Sequence, residues 1–209
     1  MPVIAIIGNK GGIGKTTISI NIACGLRSLY SVLLLDADPQ QSSSQWREIS
    51  ERNDMIEVAD AVESVAESVD RYRQRYECMV IDCPSSVHSE QTKQALTCSD
   101  IAVVPVLPSP LDIWATVHVE QELESAQLIN AGLKGLLVVN QIEPRTLLSN
   151  LIRQSLDEIG LPVARTVIKR RVAYRNAMLQ GCSVLDMGAS ANGADEDIRQ
   201  LVEEVVSYL

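Results

Sequence analysis

The segment Gly8-Asn9-Lys10-Gly11-Gly12-Ile13-Gly14-Lys15-Thr16-Thr17 follows the apolar run Val3–Ile7 and leads into a stretch with helical spacing. No other feature constrains the chain as tightly. Closely spaced glycines let successive backbone N–H groups turn toward an anion without interference from a Cβ atom, and a helix starting there adds the positive end of its dipole. Gly11, Gly12, Ile13, Gly14 and Thr17 thus read as a phosphate cradle. Lys15 can reach the outer phosphates, and the Thr16 hydroxyl is placed to ligate Mg²⁺. The general pattern G-x-x-x-x-G-K-[ST] asks for glycine where Asn9 stands, and the chain adds a second lysine, Lys10, at the mouth of the loop.

Two further apolar runs end in acids. Leu33-Leu34-Leu35-Asp36-Ala37-Asp38-Pro39-Gln40 places two carboxylates just past a buried strand, where they are costly without a cation or hydrogen-bond donors. Met79-Val80-Ile81-Asp82-Cys83-Pro84 ends in one acid and then a proline that stops the strand. Taken singly, each acid could be a turn residue or a helix cap. Together with the glycine loop they read as a site for Mg²⁺, with Asp82 as the Walker B acid.

Short apolar runs at Val3–Ile7, Val32–Leu35, Cys78–Ile81, Ile101–Val106, Gly135–Val139 and Val163–Ile168 predict strands covered on both faces. Helical spacing falls between them, at Thr17–Leu29, Asp60–Arg75, Ser89–Leu96, Leu111–Asn130 and Thr146–Ile159, with a closing amphipathic helix over Asp195–Leu209. Such alternation predicts a single α/β domain over residues 1–209, a doubly wound, mainly parallel sheet with its ligands at the carboxyl ends of the strands; the glycine loop then marks the domain as similar to a P-loop NTPase. The proline-dense junction Pro105–Asp112 reads first as a rigid strand-to-helix connection and alternatively as a switch element near the nucleotide, and Trp46 and Trp114 read as core residues by default, with interface anchors as the alternative.

The variant K-G-G-x-G-K-T resembles the deviant P-loop of the ParA/MinD family of dimerising ATPases, and D-x-D-P-Q resembles that family's second signature. The resemblance runs over nearly the full chain, though only these amino-terminal motifs are highly specific. It implies ATP and Mg²⁺ as cofactors, a water-bridged metal role for Asp36 and an attacking-water role for Asp38. Lys15 and Lys10 would neutralise charge in hydrolysis, with Lys10 crossing to the phosphates of a partner in an ATP-sandwich homodimer. Gln41 stands where the family often has glycine, which leaves the local loop conformation open. Asn140 ends the strand Leu136–Val139; its amide suits the adenine edge, and a strand-ending asparagine is also an ordinary turn former.

The formal net charge of −9 argues against a protein that coats nucleic acid over its whole surface. A local basic cluster still exists, in Arg165, Lys169, Arg170, Arg171 and Arg175. It reads either as a solvated face paired with neighbouring acids or as a phosphate grip. The family resemblance favours the grip: Lys169, Arg170, Arg171 and Arg175 would hold nucleoid DNA without reading sequence. The five cysteines are scattered, without C-x-x-C spacing, and suit core thiols in a reducing cytoplasm. Arg199 is the single basic residue of the acidic Asp195–Leu209 stretch, so the membrane-binding ending of MinD-like members is not expected. The resemblance thus implies a cytoplasmic, nucleoid-associated ATPase, similar to short ParA-type members that position plasmids, carboxysomes or other assemblies through an adaptor that stimulates hydrolysis. A MinD-like membrane ATPase and a nucleotide-binding module without a transport role are the alternatives.

Overall fold

In the computed structural model, residues 1–143 and 159–209 are described. Among them lie six strands: β1 (Val3–Ile6), β2 (Val32–Asp36), β3 (Glu57–Asp60), β4 (Cys78–Asp82), β5 (Ile101–Val106) and β6 (Lys134–Val139). Seven α-helices accompany them: α1 (Lys15–Leu26), α2 (Ser42–Ile49), α3 (Val65–Tyr72), α4 (Glu90–Cys98), α5 (Pro110–Gln127), α6 (Val172–Leu179) and α7 (Ala194–Val206). The strands form one sheet in the order β3-β2-β4-β1-β5-β6, and every pairing is parallel.

Continuous apolar runs give strands with both faces covered, and alternate side chains feed two cores. Ile4, Leu34, Val80, Val103 and Val138 join α1, α6 and α7 on one face. Ala5, Leu35, Ile81, Val104 and Val139 join α3, α4 and α5 on the other. This is the doubly wound α/β arrangement expected from the alternation of strand and helix. Among the described residues, no helix is long and apolar enough to cross a membrane.

Three expectations need correction. Glu57–Asp60 forms an edge strand that carries no apolar run, so part of the helix expected from Asp60 is strand, and α3 starts only at Val65. Val163–Ile168 does not form a regular strand. It runs beside β6 through backbone bonds such as Ala164 N–H to the Leu137 carbonyl (2.7 Å), with isolated bridges at Val163 and Lys169. Glu204 of α7 anchors that segment by accepting from the backbone N–H groups of Arg165 (2.8 Å) and Thr166 (2.9 Å). Trp46 is buried as expected, but Trp114 is 68% exposed on α5. The helix expected over Thr146–Ile159 lies, except for Ile159, outside the described residues.

Candidate nucleotide site

The glycine loop joins β1 to α1 at the centre of the sheet. Gly14 precedes the first helical residue at φ 93°, a left-handed conformation that glycine adopts without steric cost, and no side chain caps the helix. A Cβ at Gly14 would collide with Nδ2 of Asn140, so the close approach of β6 also requires glycine there. Lys15 is buried and donates to the Lys10 carbonyl at 3.0 Å, folding its stem over the loop. Burial holds its ammonium below the usual lysine range, against the opposing pull of Asp82 and Asp38.

Register brings the acids to the loop. Asp36 and Asp82 are partners at the ends of β2 and β4, and Ile6 of β1 pairs with Asp82 on the other side. Both carboxylates are fully buried. Asp82 accepts from the hydroxyls of Ser19 (3.0 Å) and Ser43 (2.8 Å) and from Thr16. Asp36 accepts from the backbone N–H (2.8 Å) and hydroxyl (2.9 Å) of Ser44 and from the backbone N–H of Asp38 (3.3 Å). Desolvation nevertheless outweighs these donors and pushes both acids up, Asp82 to about 6. Asp38 is half-buried and binds the Gln40 backbone N–H at 2.9 Å.

This donor set fits a hydrated divalent cation. Mg²⁺ keeps several waters and takes few protein oxygens, and Thr16, Asp36 and Asp82 offer one hydroxyl and two carboxylates beside the glycine loop. Held by these three residues, the ion would supply positive charge against that of a bound nucleotide's phosphates.

Ser19, Ser43 and Ser44 were not foreseen as members of the site. The Ser42–Ser44 run was visible in the sequence, but only the helix α2 that it begins directs Ser43 and Ser44 at the two acids. Gln41 precedes that helix at φ 52°, adopting the left-handed conformation for which the family often uses glycine.

Lys10 is drawn across the loop mouth to the start of α5. Its ammonium lies 2.9 Å from Asp112 and 3.2 Å from the Leu111 carbonyl. Burial raises the Asp112 carboxyl, but the Ser109 hydroxyl and Lys10 together bring it below the ordinary aspartate range. Leu111 and Trp114, 66% and 68% exposed, stand on the same first turns of α5.

Asn140 is buried, and both ends of its amide are engaged. Nδ2 donates to the Ile13 carbonyl (2.7 Å), and Oδ1 accepts from the Gln141 N–H (2.9 Å). The basic cluster lies next to it. A cavity of about 700 Å³ is lined by Gly14, Thr17 and Asn140 on one side and by Lys169, Arg170 and Arg171 on the other. Lys169 (2.9 Å) and Arg171 (3.1 Å) share Asp197, whereas Arg170 pairs with exposed Glu143 (2.9 Å) and Arg165 lies 3.8 Å from Glu204. Arg175 is exposed and forms no ion pair among the described residues.

A family model described as "CobQ/CobB/MinD/ParA nucleotide binding domain" matches residues 4–184. The chain is 36% identical over 206 residues to "Maintenance of carboxysome distribution protein A" of Halothiobacillus neapolitanus, covering 97% of this chain and 95% of that protein. Its fold resembles that of a Cyanothece McdA variant in complex with ATP (TM-score 0.80, 15% identity, 99% and 96% of the two chains covered). It also resembles the septum site-determining protein MinD of Pyrococcus horikoshii complexed with Mg-ADP (TM-score 0.75, 21% identity, 98% and 95% covered). With its double-lysine loop and in-register acids, the chain belongs to the CobQ/CobB/MinD/ParA family of nucleotide-binding domains.

Proposed function

We propose that this chain is a Mg²⁺-dependent ATPase of ParA type that positions a large cargo by cycling between an ATP-bound dimer on DNA and a released monomer. The observation that carries the reading is the convergence of Lys15, Thr16 and two buried strand-end acids on one glycine loop. Phosphoryl transfer to water needs positioning and charge stabilisation more than covalent chemistry. Gly11–Thr17 hold the phosphates, Lys15 neutralises their charge, and Asp38, the half-buried acid, orients the attacking water.

Lys10 reaches the partner's phosphates in the dimer, which makes ATP part of the interface. Exposed Leu111 and Trp114 beside it supply apolar surface for that contact. DNA is held without sequence preference by the late basic cluster, chiefly Arg170 and Arg175, because Lys169 and Arg171 are committed to Asp197. The likeness to carboxysome distribution proteins supports a carboxysome or comparable assembly as cargo, recruited through an adaptor that stimulates hydrolysis. In this reading the protein works in the cytoplasm, on the nucleoid.

The test is phosphate release from ATP with and without Mg²⁺ and with and without duplex DNA. The reading expects Mg²⁺-dependent turnover that changes on adding DNA. ATP binding without turnover under any of these conditions would make the chain a nucleotide-binding module instead. Co-sedimentation with anionic liposomes in place of DNA would favour a MinD-like role.

A further inference from the structure

We propose that Asn140 and Gln141 are positioning residues that brace the phosphate loop from the carboxyl end of β6. This rests on the reading of that loop as a triphosphate cradle. A glycine-rich loop binds an anion only when its peptide N–H groups converge and its carbonyls turn away, and a loop with four glycines among residues 8–14 has many other conformations open to it. The two amides act on those carbonyls. Asn140 Nδ2 donates to the Ile13 carbonyl at 2.7 Å, and Gln141 Nε2 donates to the neighbouring Gly12 carbonyl at 3.1 Å.

The backbone is built around this brace. The Asn140 N–H donates to the Val106 carbonyl at 2.8 Å, extending the pairing of β5 with β6 up to the site. Gln141 then adopts φ 57°, rare for a residue with a side chain, and its own N–H is held by Oδ1 of Asn140. After this turn the chain pairs again, Ile142 N–H donating to the Ile168 carbonyl at 3.0 Å. The side chains of two consecutive residues thus reach two consecutive loop carbonyls, over separations of 127 and 129 residues. The requirement for glycine at position 14 has the same origin, since a Cβ there would strike Nδ2 of Asn140. An Asn140 amide used in this way already spends one N–H and one oxygen lone pair within the protein.

A brace and a base reader differ in what they do to nucleotide choice. Calorimetry would measure ATP, GTP and inorganic tripolyphosphate binding to the wild-type chain, Asn140→Ala and Gln141→Gly, the last chosen because glycine tolerates the positive φ. The proposal expects each variant to lose about five- to tenfold in affinity for all three anions by the same factor, leaving the ATP-to-GTP ratio unchanged. Hydrogen exchange without nucleotide should show the Gly12–Gly14 amides opening several-fold faster in Gln141→Gly, with the sheet unaffected. An altered ATP-to-GTP ratio in Asn140→Ala with unchanged tripolyphosphate binding would overturn the brace and make Asn140 a base reader. Unchanged loop exchange in Gln141→Gly would also overturn it. A wild-type chain that bound no triphosphate would overturn the nucleotide reading itself, a failure seen before any variant is compared.

Discussion

The ammonium of Lys10 lies 2.9 Å from the carboxylate of Asp112, joining the mouth of the glycine loop to the first turn of α5 across 102 residues. In a single chain this pair holds Lys10 against its own subunit. A lysine that serves the phosphates of a second copy must first leave Asp112, so in the proposed dimer the pair would oppose assembly.

Replacing Asp112 with alanine is therefore expected to favour dimerisation. Lys10 is 40% exposed in the pair, which limits its strength to about 0.5–1 kcal/mol, and because a symmetric dimer breaks two such pairs the effect on the dimer equilibrium is about five- to thirtyfold. Analytical ultracentrifugation with a non-cleavable ATP analogue would show it. An unchanged or weaker dimer would mean that Asp112 is no brake on assembly.

Ser43 is expected to matter through Asp82. Ser43→Ala removes a 2.8 Å hydrogen bond from a carboxylate with no solvent contact, a loss of about 1–3 kcal/mol, or several degrees in thermal midpoint. Mg²⁺-dependent turnover should fall with it, because the acid loses a donor that orients it. A variant with wild-type midpoint and turnover would show that Ser19 and Thr16 suffice for Asp82.

Much of this site was legible in the sequence, and what escaped has a common cause. The glycine loop and the acids at positions 36, 38 and 82 lie at the end of a buried strand or just past it, and apolar runs report such strands directly. The second set of partners comes from elements whose signal is weak. Ser43 and Ser44 lie in α2, whose Ser-rich start reads as loop. Glu57–Asp60 sits at the sheet edge with its outer residues exposed, so no apolar run marks it. Val163–Ile168 shows the opposite error: it is apolar because it lies against β6, yet it is tied down by Glu204 more than by a strand ladder. Lys10 with Asp112, and Asn140 with Ile13, meet only through tertiary packing, which no local pattern records.

Glu204 offers a pH test of that last point. Burial raises its carboxyl, but the N–H groups of Arg165 and Thr166 outweigh this and hold it below the usual glutamate range. The unfolded state then binds the proton more readily, with a pKa of about 4.3, so stability from this group is complete above that value and is lost as pH falls through the lowered folded one. Glu204→Gln should cost about 1–3 kcal/mol at pH 7, with the gap to wild type narrowing in acid. Denaturant titrations across that range would settle it, and a gap independent of pH would remove the carboxylate from the explanation.

Within the basic cluster, partners divide the residues. Arg170 and Arg175 are exposed, whereas Lys169 and Arg171 share buried Asp197. Reversing Arg170 and Arg175 to glutamate should weaken DNA binding more than tenfold and flatten its salt dependence, with only a small fall in thermal midpoint because the Arg170–Glu143 pair that it breaks is exposed on both sides. Reversing Arg171 should lower the midpoint, since it leaves Asp197 facing a like charge. Undiminished DNA binding in the double variant, measured by fluorescence anisotropy in ATP, would place the contact elsewhere on the molecule.

In the proposed cycle everything turns on Lys10 acting in the other subunit. Small-angle scattering of wild type and Lys10→Ala, each with Mg²⁺ and a non-cleavable ATP analogue, tests this most directly when nucleotide binding is measured on the same samples. The expected result is a wild-type dimer and a Lys10→Ala monomer that still binds the analogue. Equal dimers in both samples, or a wild-type chain that stays monomeric while fully loaded, would contradict it.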